Sequence, residues 1–108
     1  MTDKRNLLAE TKFVMEDRGL TVGDIIYIGD TSQEEYSMSW PKFRQLANIE
    51  YDSGYGGQEI KRDLTIVFKD GTQMFRGEYD GSEWWDVIPA FKLKKSNTSP
   101  PKTLREEW

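Results

Sequence analysis

Glu78-Tyr79-Asp80-Gly81-Ser82-Glu83-Trp84-Trp85-Asp86 sets four carboxylates and three aromatic rings around an Asp-Gly pair, with no basic residue among them. Asp-Gly between two runs of strand-forming residues is a strong hairpin signal, because a type I′ turn needs φ > 0 at both central positions. The same pair stands at Asp70-Gly71. Two-residue turns at both places predict a three-stranded meander over Arg62 to Lys69, Thr72 to Tyr79 and Ser82 to Ala90.

Counting outward from each turn gives a register. Phe68 would face Gln73, Ile66 would face Phe75 and Leu64 would face Gly77, forming the core side together with Trp84 opposite Gly77. An indole lying over the bare backbone of a strand glycine accounts for both residues. On the other side Val67, Met74 and Val87 would line up beside Arg76, which faces Trp85 in a cation–π pair. Glu78 falls opposite Glu83, a like-charge pairing that local rules disfavour and therefore a place to look for function.

Upstream, Thr2 or Asp3 is placed to cap a helix whose stripe is Leu7, Leu8, Thr11, Val14 and Met15, and Gly19 is placed to end it. Asp24 to Gly29 reads as a buried strand, with Glu35 to Met38 as a short partner. Ser39-Trp40-Pro41 opens a second helix with Trp40, Phe43, Leu46 and Ala47 on its apolar face. Glu50 to Glu59, with three glycines and two tyrosines, reads as a loop or irregular edge. The fold class expected is α+β: a small antiparallel or mixed sheet ending in a meander, packed by two helices. Residues 1–90 are expected to form the domain and 91–108 a flexible basic tail.

The chain has 108 residues, no cysteine and no histidine, which excludes disulfides, Cys or His zinc sites, thiol nucleophiles and Ser-His-Asp triads within it. No apolar run reaches the ~20 residues of a membrane span, so a cytoplasmic protein is expected. Net charge is −4, divided as −7 on residues 1–90 and +3 on the tail. An acidic body argues against direct nucleic-acid binding by the folded part and for a basic partner.

Three constellations carry candidate chemistry. The Tyr51 to Gln58 loop, with Tyr55 among its glycines, offers N–H groups to a phosphate and rings to a base, but it lacks a Walker lysine and the dinucleotide spacing. The carboxylates Asp52, Glu59, Asp63, Glu78, Asp80, Glu83 and Asp86 are numerous enough for a metal-dependent hydrolase, yet match no calcium loop. No catalytic residue, metal ligand or cofactor is assigned. Trp84 and Trp85 alternate across the strand, so one of them needs cover from outside its own core layer, which is the argument for a binding surface.

Tyr36-Ser37-Met38-Ser39-Trp40, Tyr51-Asp52-Ser53-Gly54-Tyr55-Gly56-Gly57-Gln58-Glu59-Ile60 and the Glu78 to Trp85 segment together resemble a small protein family of bacteriophages and prophages that has no assigned activity. The similarity spans about Asp24 to Ile88, and Glu-Tyr-Asp-Gly-Ser-Glu-Trp-Trp is its most specific part. It implies an accessory protein in the phage-infected cell, where small acidic proteins bind and inhibit host proteins, some by mimicking nucleic-acid charge. The expectation is a non-enzymatic protein that binds a host macromolecule with a basic, nucleic-acid-handling surface. Tyr55, Tyr79 and Trp85 would anchor the contact, with Glu78, Asp80 and Glu83 pairing with Lys or Arg. A homodimer through an edge strand and a nucleotide ligand in the Gly/Tyr loop are the alternatives.

Overall fold

The computed structural model describes residues 4–52, 58–90 and 99–106. The chain is α+β. β1 (Lys4–Asn6) leads into α1 (Leu7–Asp17), a 3₁₀ turn at Val22–Asp24 and β2 (Ile25–Asp30). α2 (Trp40–Ala47), β3 (Glu50–Asp52), β4 (Leu64–Phe68), β5 (Gln73–Tyr79) and β6 (Ser82–Ile88) complete the order. β2-β4-β5-β6 form an antiparallel four-stranded sheet, and β1 pairs with β3 in a separate two-stranded one.

Local chemistry explains most of the boundaries. Ser39 Oγ accepts the Lys42 N–H at the start of α2, with Pro41 in the first turn. Gly19, at φ 69°, ends α1, and the Leu20 N–H bonds back to the Met15 carbonyl at 2.8 Å. The start of α1 differs from the sequence expectation. Residues 4–6 are extended because they pair with 50–52, so the cap is Asn6, whose Oδ1 accepts the Ala9 N–H at 3.0 Å. Thr2 and Asp3 lie outside the described residues. The same pairing gives Glu50–Asp52 strand structure in a stretch expected to be a loop or edge.

The two Asp-Gly turns are of different kinds. Asp80 and Gly81 both have positive φ, 53° and 88°, as a two-residue I′ turn requires, and the β5–β6 register is the expected one. At the first turn only Gly71 is left-handed, at φ 94°. There the Phe68 N–H bonds the Thr72 carbonyl, and Asp70 Oδ1 accepts the Thr72 N–H. The loop is therefore three residues long, and Ile66 faces Met74 rather than Phe75.

A one-residue slip moves every side chain of a strand to the opposite face. The expected core side held for β4 but not for β5 and β6. Leu64, Ile66 and Phe68 share the inner face with Met74, Arg76, Trp85 and Glu83. Val67, Phe75, Gly77, Trp84 and Ile88 take the outer one. The slip exchanges Phe75 for Met74 against the buried Ile66 and turns Gln73 to the exposed side, which suits a face covered by helices. Both helices spend their buried residues on that face: Leu7, Thr11 and Met15 from α1, Phe43 and Ala47 from α2.

Among the described residues, no helix is long and apolar enough to cross a membrane. Phe91 to Thr98 of the expected tail lie outside the described residues, and 99–106 contain no helix or strand.

Candidate functional site

The β5–β6 hairpin sends its side chains to two different environments. On the inner face Arg76 is fully enclosed, its side chain 0% exposed. Its Nη1 donates to Glu10 Oε1 at 3.2 Å, and its Nη2 donates to Tyr51 Oη at 2.9 Å and to Glu83 Oε1 at 3.4 Å. The guanidinium lies between two rings, 4.9 Å from the Trp85 centroid and 5.4 Å from that of Tyr51. Its Nε has no hydrogen-bond partner among the described residues.

Each group around Arg76 is committed in turn. Glu83 accepts the N–H groups of Glu59 and Ile60, which fastens the segment before β4 to the hairpin. Glu10 also takes the Tyr51 hydroxyl at 2.6 Å and the Arg5 guanidinium at 3.3 Å. Burial pushes the Tyr51 phenol up to about 12, and the hydrogen bond to Glu10 adds to it, against the opposing pull of Arg76. Trp85 Nε1 donates to Thr11 Oγ1 at 2.9 Å, and Thr11 bonds the Leu7 carbonyl at 2.7 Å.

This cluster joins α1, β3, β5, β6 and the 59–60 segment. Its charges are mutually compensated, so it works as a structural knot: a buried ion pair is costly to break from one side. The hairpin register gave the Arg76–Trp85 pair from sequence, but nothing in sequence pattern marks Glu10 or Tyr51 as its partners, since Glu10 lies 66 residues from Arg76.

The outer environment is different. Tyr79 is 77% exposed at the hairpin tip, beside exposed Glu78 and Asp80. Along the same sheet face run half-buried Phe75, Trp84 and Val67 and, at the far end, Ile88 at 53% exposure. Trp84 covers Gly77 as expected: a Cβ built there would stand 2.6 Å from the indole Nε1. That Nε1 donates to Asp86 Oδ1 at 2.9 Å, holding the ring flat on the strand.

Of the residues expected to meet a partner, Glu78, Tyr79 and Asp80 are at the surface together. Glu83 and Trp85 are not. They are 2% and 7% exposed, because the Glu59–Ile60 segment closes over Glu83 and Thr11 of α1 packs on Trp85. Tyr55 lies outside the described residues, as do residues 53–57 of the Gly/Tyr loop.

The remaining carboxylates are dispersed. Asp63 accepts the Tyr36 hydroxyl at 2.6 Å, and Glu59 accepts the Asp52 N–H at 3.1 Å. Among the described residues no three carboxylates gather where they could hold a metal ion. No protein family, curated protein or solved structure matches the chain.

Proposed function

We propose that this protein is a non-enzymatic accessory protein of phage or prophage that binds a host macromolecule through the tip and outer face of the β5–β6 hairpin. The observation that carries the reading is Tyr79, a large ring 77% exposed between two acidic side chains. It leads onto a sheet face that also presents Phe75 and Trp84.

Tyrosine and tryptophan supply large, stiff contact area and dominate binding hot spots. Carboxylates at the rim steer and select a basic partner more than they tighten it. The partner favoured is a basic, nucleic-acid-handling protein, and the phage context comes from the sequence resemblance. The contact residues are Glu78, Tyr79, Asp80, Trp84 and Phe75, replacing the interior Glu83 and Trp85 in this role.

The test is affinity capture from bacterial lysate with the wild type and a Tyr79→Ala, Glu78→Lys variant, followed by rebinding of the purified captured protein. Tyr79 is exposed and Glu78 lies at the tip, so the variant is expected to fold. Support requires a basic protein that rebinds wild type, weakens at high salt and loses about tenfold or more with the variant, as hot-spot truncation produces. Equal rebinding of the variant refutes the reading.

A further inference from the structure

A cavity of about 420 Å³ opens between α2 and the segment that leads into β4. Its wall is aliphatic and aromatic, built from Leu7, Met38, Phe43, Ala47, Ile60 and Leu64, and at its edge stand Leu46 and Ile49. These last two are 51% and 47% exposed, large apolar side chains left in water at one place. Ordinary small-molecule sites span about 300–1,000 Å³ and are apolar with few polar groups. At roughly 30 Å³ per heavy atom, the share of a liquid water, the space accommodates about a dozen.

The rim supplies direction. Lys61 lines the cavity, its ammonium held 5.6 Å from the ring of Tyr36, which is itself a lining residue. Lys61 has no carboxylate partner among the described residues. The other charged lining residue, Glu59, has its carboxylate engaged by the Asp52 N–H. An apolar pocket with one cation at its mouth that no carboxylate neutralises fits an amphiphile with an aliphatic body and a single negative head.

We infer that this cavity is a binding site for a medium-chain aliphatic carboxylate, its chain against Phe43, Ile60 and Leu64 and its head at Lys61. The site shares no residue with the hairpin surface, so it stands or falls independently of the proposed partner.

The experiment is calorimetric titration of the full chain with hexanoate, octanoate and decanoate, and with decanol and decylamine as head-group controls. Affinity is expected to rise about fourfold for each added methylene while the chain is being buried. One carboxylate binds per chain. Leu46→Asp, at a half-exposed position, weakens decanoate about tenfold or more by putting a charge on the apolar rim. Lys61→Glu weakens decanoate about threefold, the scale of an exposed ion pair, and leaves decanol unchanged.

Absence of saturable binding at millimolar carboxylate overturns the inference, as does decylamine binding as well as decanoate. Unchanged affinity in Leu46→Asp overturns it too. Sedimentation that shows a dimer for wild type and a monomer for Leu46→Asp assigns the groove to a second copy of the chain instead.

Discussion

Glu78 and Glu83 stand directly opposite each other across β5 and β6, yet their carboxylates are used in unrelated ways. Glu83 turns inward to Arg76 and to the N–H groups of Glu59 and Ile60. Glu78, next to the turn, accepts the Gly81 N–H at 2.8 Å. A pairing that looks repulsive is resolved because each carboxylate has its own donors, and the inner one has a full positive charge beside it.

That division makes the two glutamates unequal in stability. Glu83→Gln leaves Arg76 with a weaker neutral partner in a fully enclosed site and is expected to destabilise the fold by about 3 kcal/mol. Glu78→Gln removes an exposed charge and is expected to cost less than about 1 kcal/mol. Urea denaturation of the two variants checks the ratio, and similar midpoints would contradict the buried network.

Two glycines are expected to differ in the same manner. At Gly29, φ 153°, a Cβ would meet the backbone of Tyr36 and stand 2.7 Å from Ser37 Cα. Backbone cannot swing aside, so Gly29→Ala should cost about 3 kcal/mol and loosen the strand bridge to Ser37. At Gly77 the neighbours are the Trp84 indole and the Asp86 carboxylate, which can move. Gly77→Ala should therefore cost only about 1 kcal/mol. Displacing the ring into water should red-shift the tryptophan emission, which a fluorescence spectrum reads directly.

Alkaline pH should act on Tyr51. Its folded-state value is raised from 10.0 to about 12, so the neutral phenol is favoured in the fold. The unfolded chain then loses this proton first. The stabilisation is fully present below pH 10 and is lost as pH rises toward 12. Tyr51→Phe removes the 2.9 Å acceptor of Arg76 and the donor to Glu10. It should cost about 2 kcal/mol at neutral pH while flattening the alkaline limb of a pH–stability curve. An unchanged limb would show that Tyr51 does not titrate with folding.

Acid should act on Asp30, which is 1% exposed. The Gln33 N–H, followed by the Ser32 hydroxyl and the N–H groups of Ser32 and Glu35, holds its carboxyl below the ordinary 3.8 against the opposing effect of burial. A depressed value means stability that is present above the ordinary carboxylate range and lost as pH falls through the folded-state value. Asp30→Asn should remove part of the acid sensitivity, seen as a shallower fall in melting temperature below pH 4 (about the ordinary carboxylate value).

How much of this was legible in the chain follows from the range of the forces involved. The Ser39 cap, the Gly19 stop, the type I′ turn at Asp80-Gly81 and the Trp84 cover over Gly77 are decided within a few residues, by backbone conformation and nearest donors. They could be read from sequence, and with them the α+β class and the exposed Glu78-Tyr79-Asp80 tip. Other features depend on partners far along the chain. Asn6 rather than Thr2 or Asp3 caps α1 because Glu50–Asp52 pair with the residues before it.

The Asp70-Gly71 loop takes a third residue because Met74, not Phe75, belongs against Ile66 under the helices, and that slip sends Arg76, Glu83 and Trp85 inward. Turn chemistry could name the hairpins. Only the packing of α1 and α2 on one side of the sheet decided which of two adjacent tryptophans became core, since alternation leaves the two faces equivalent until something covers one of them.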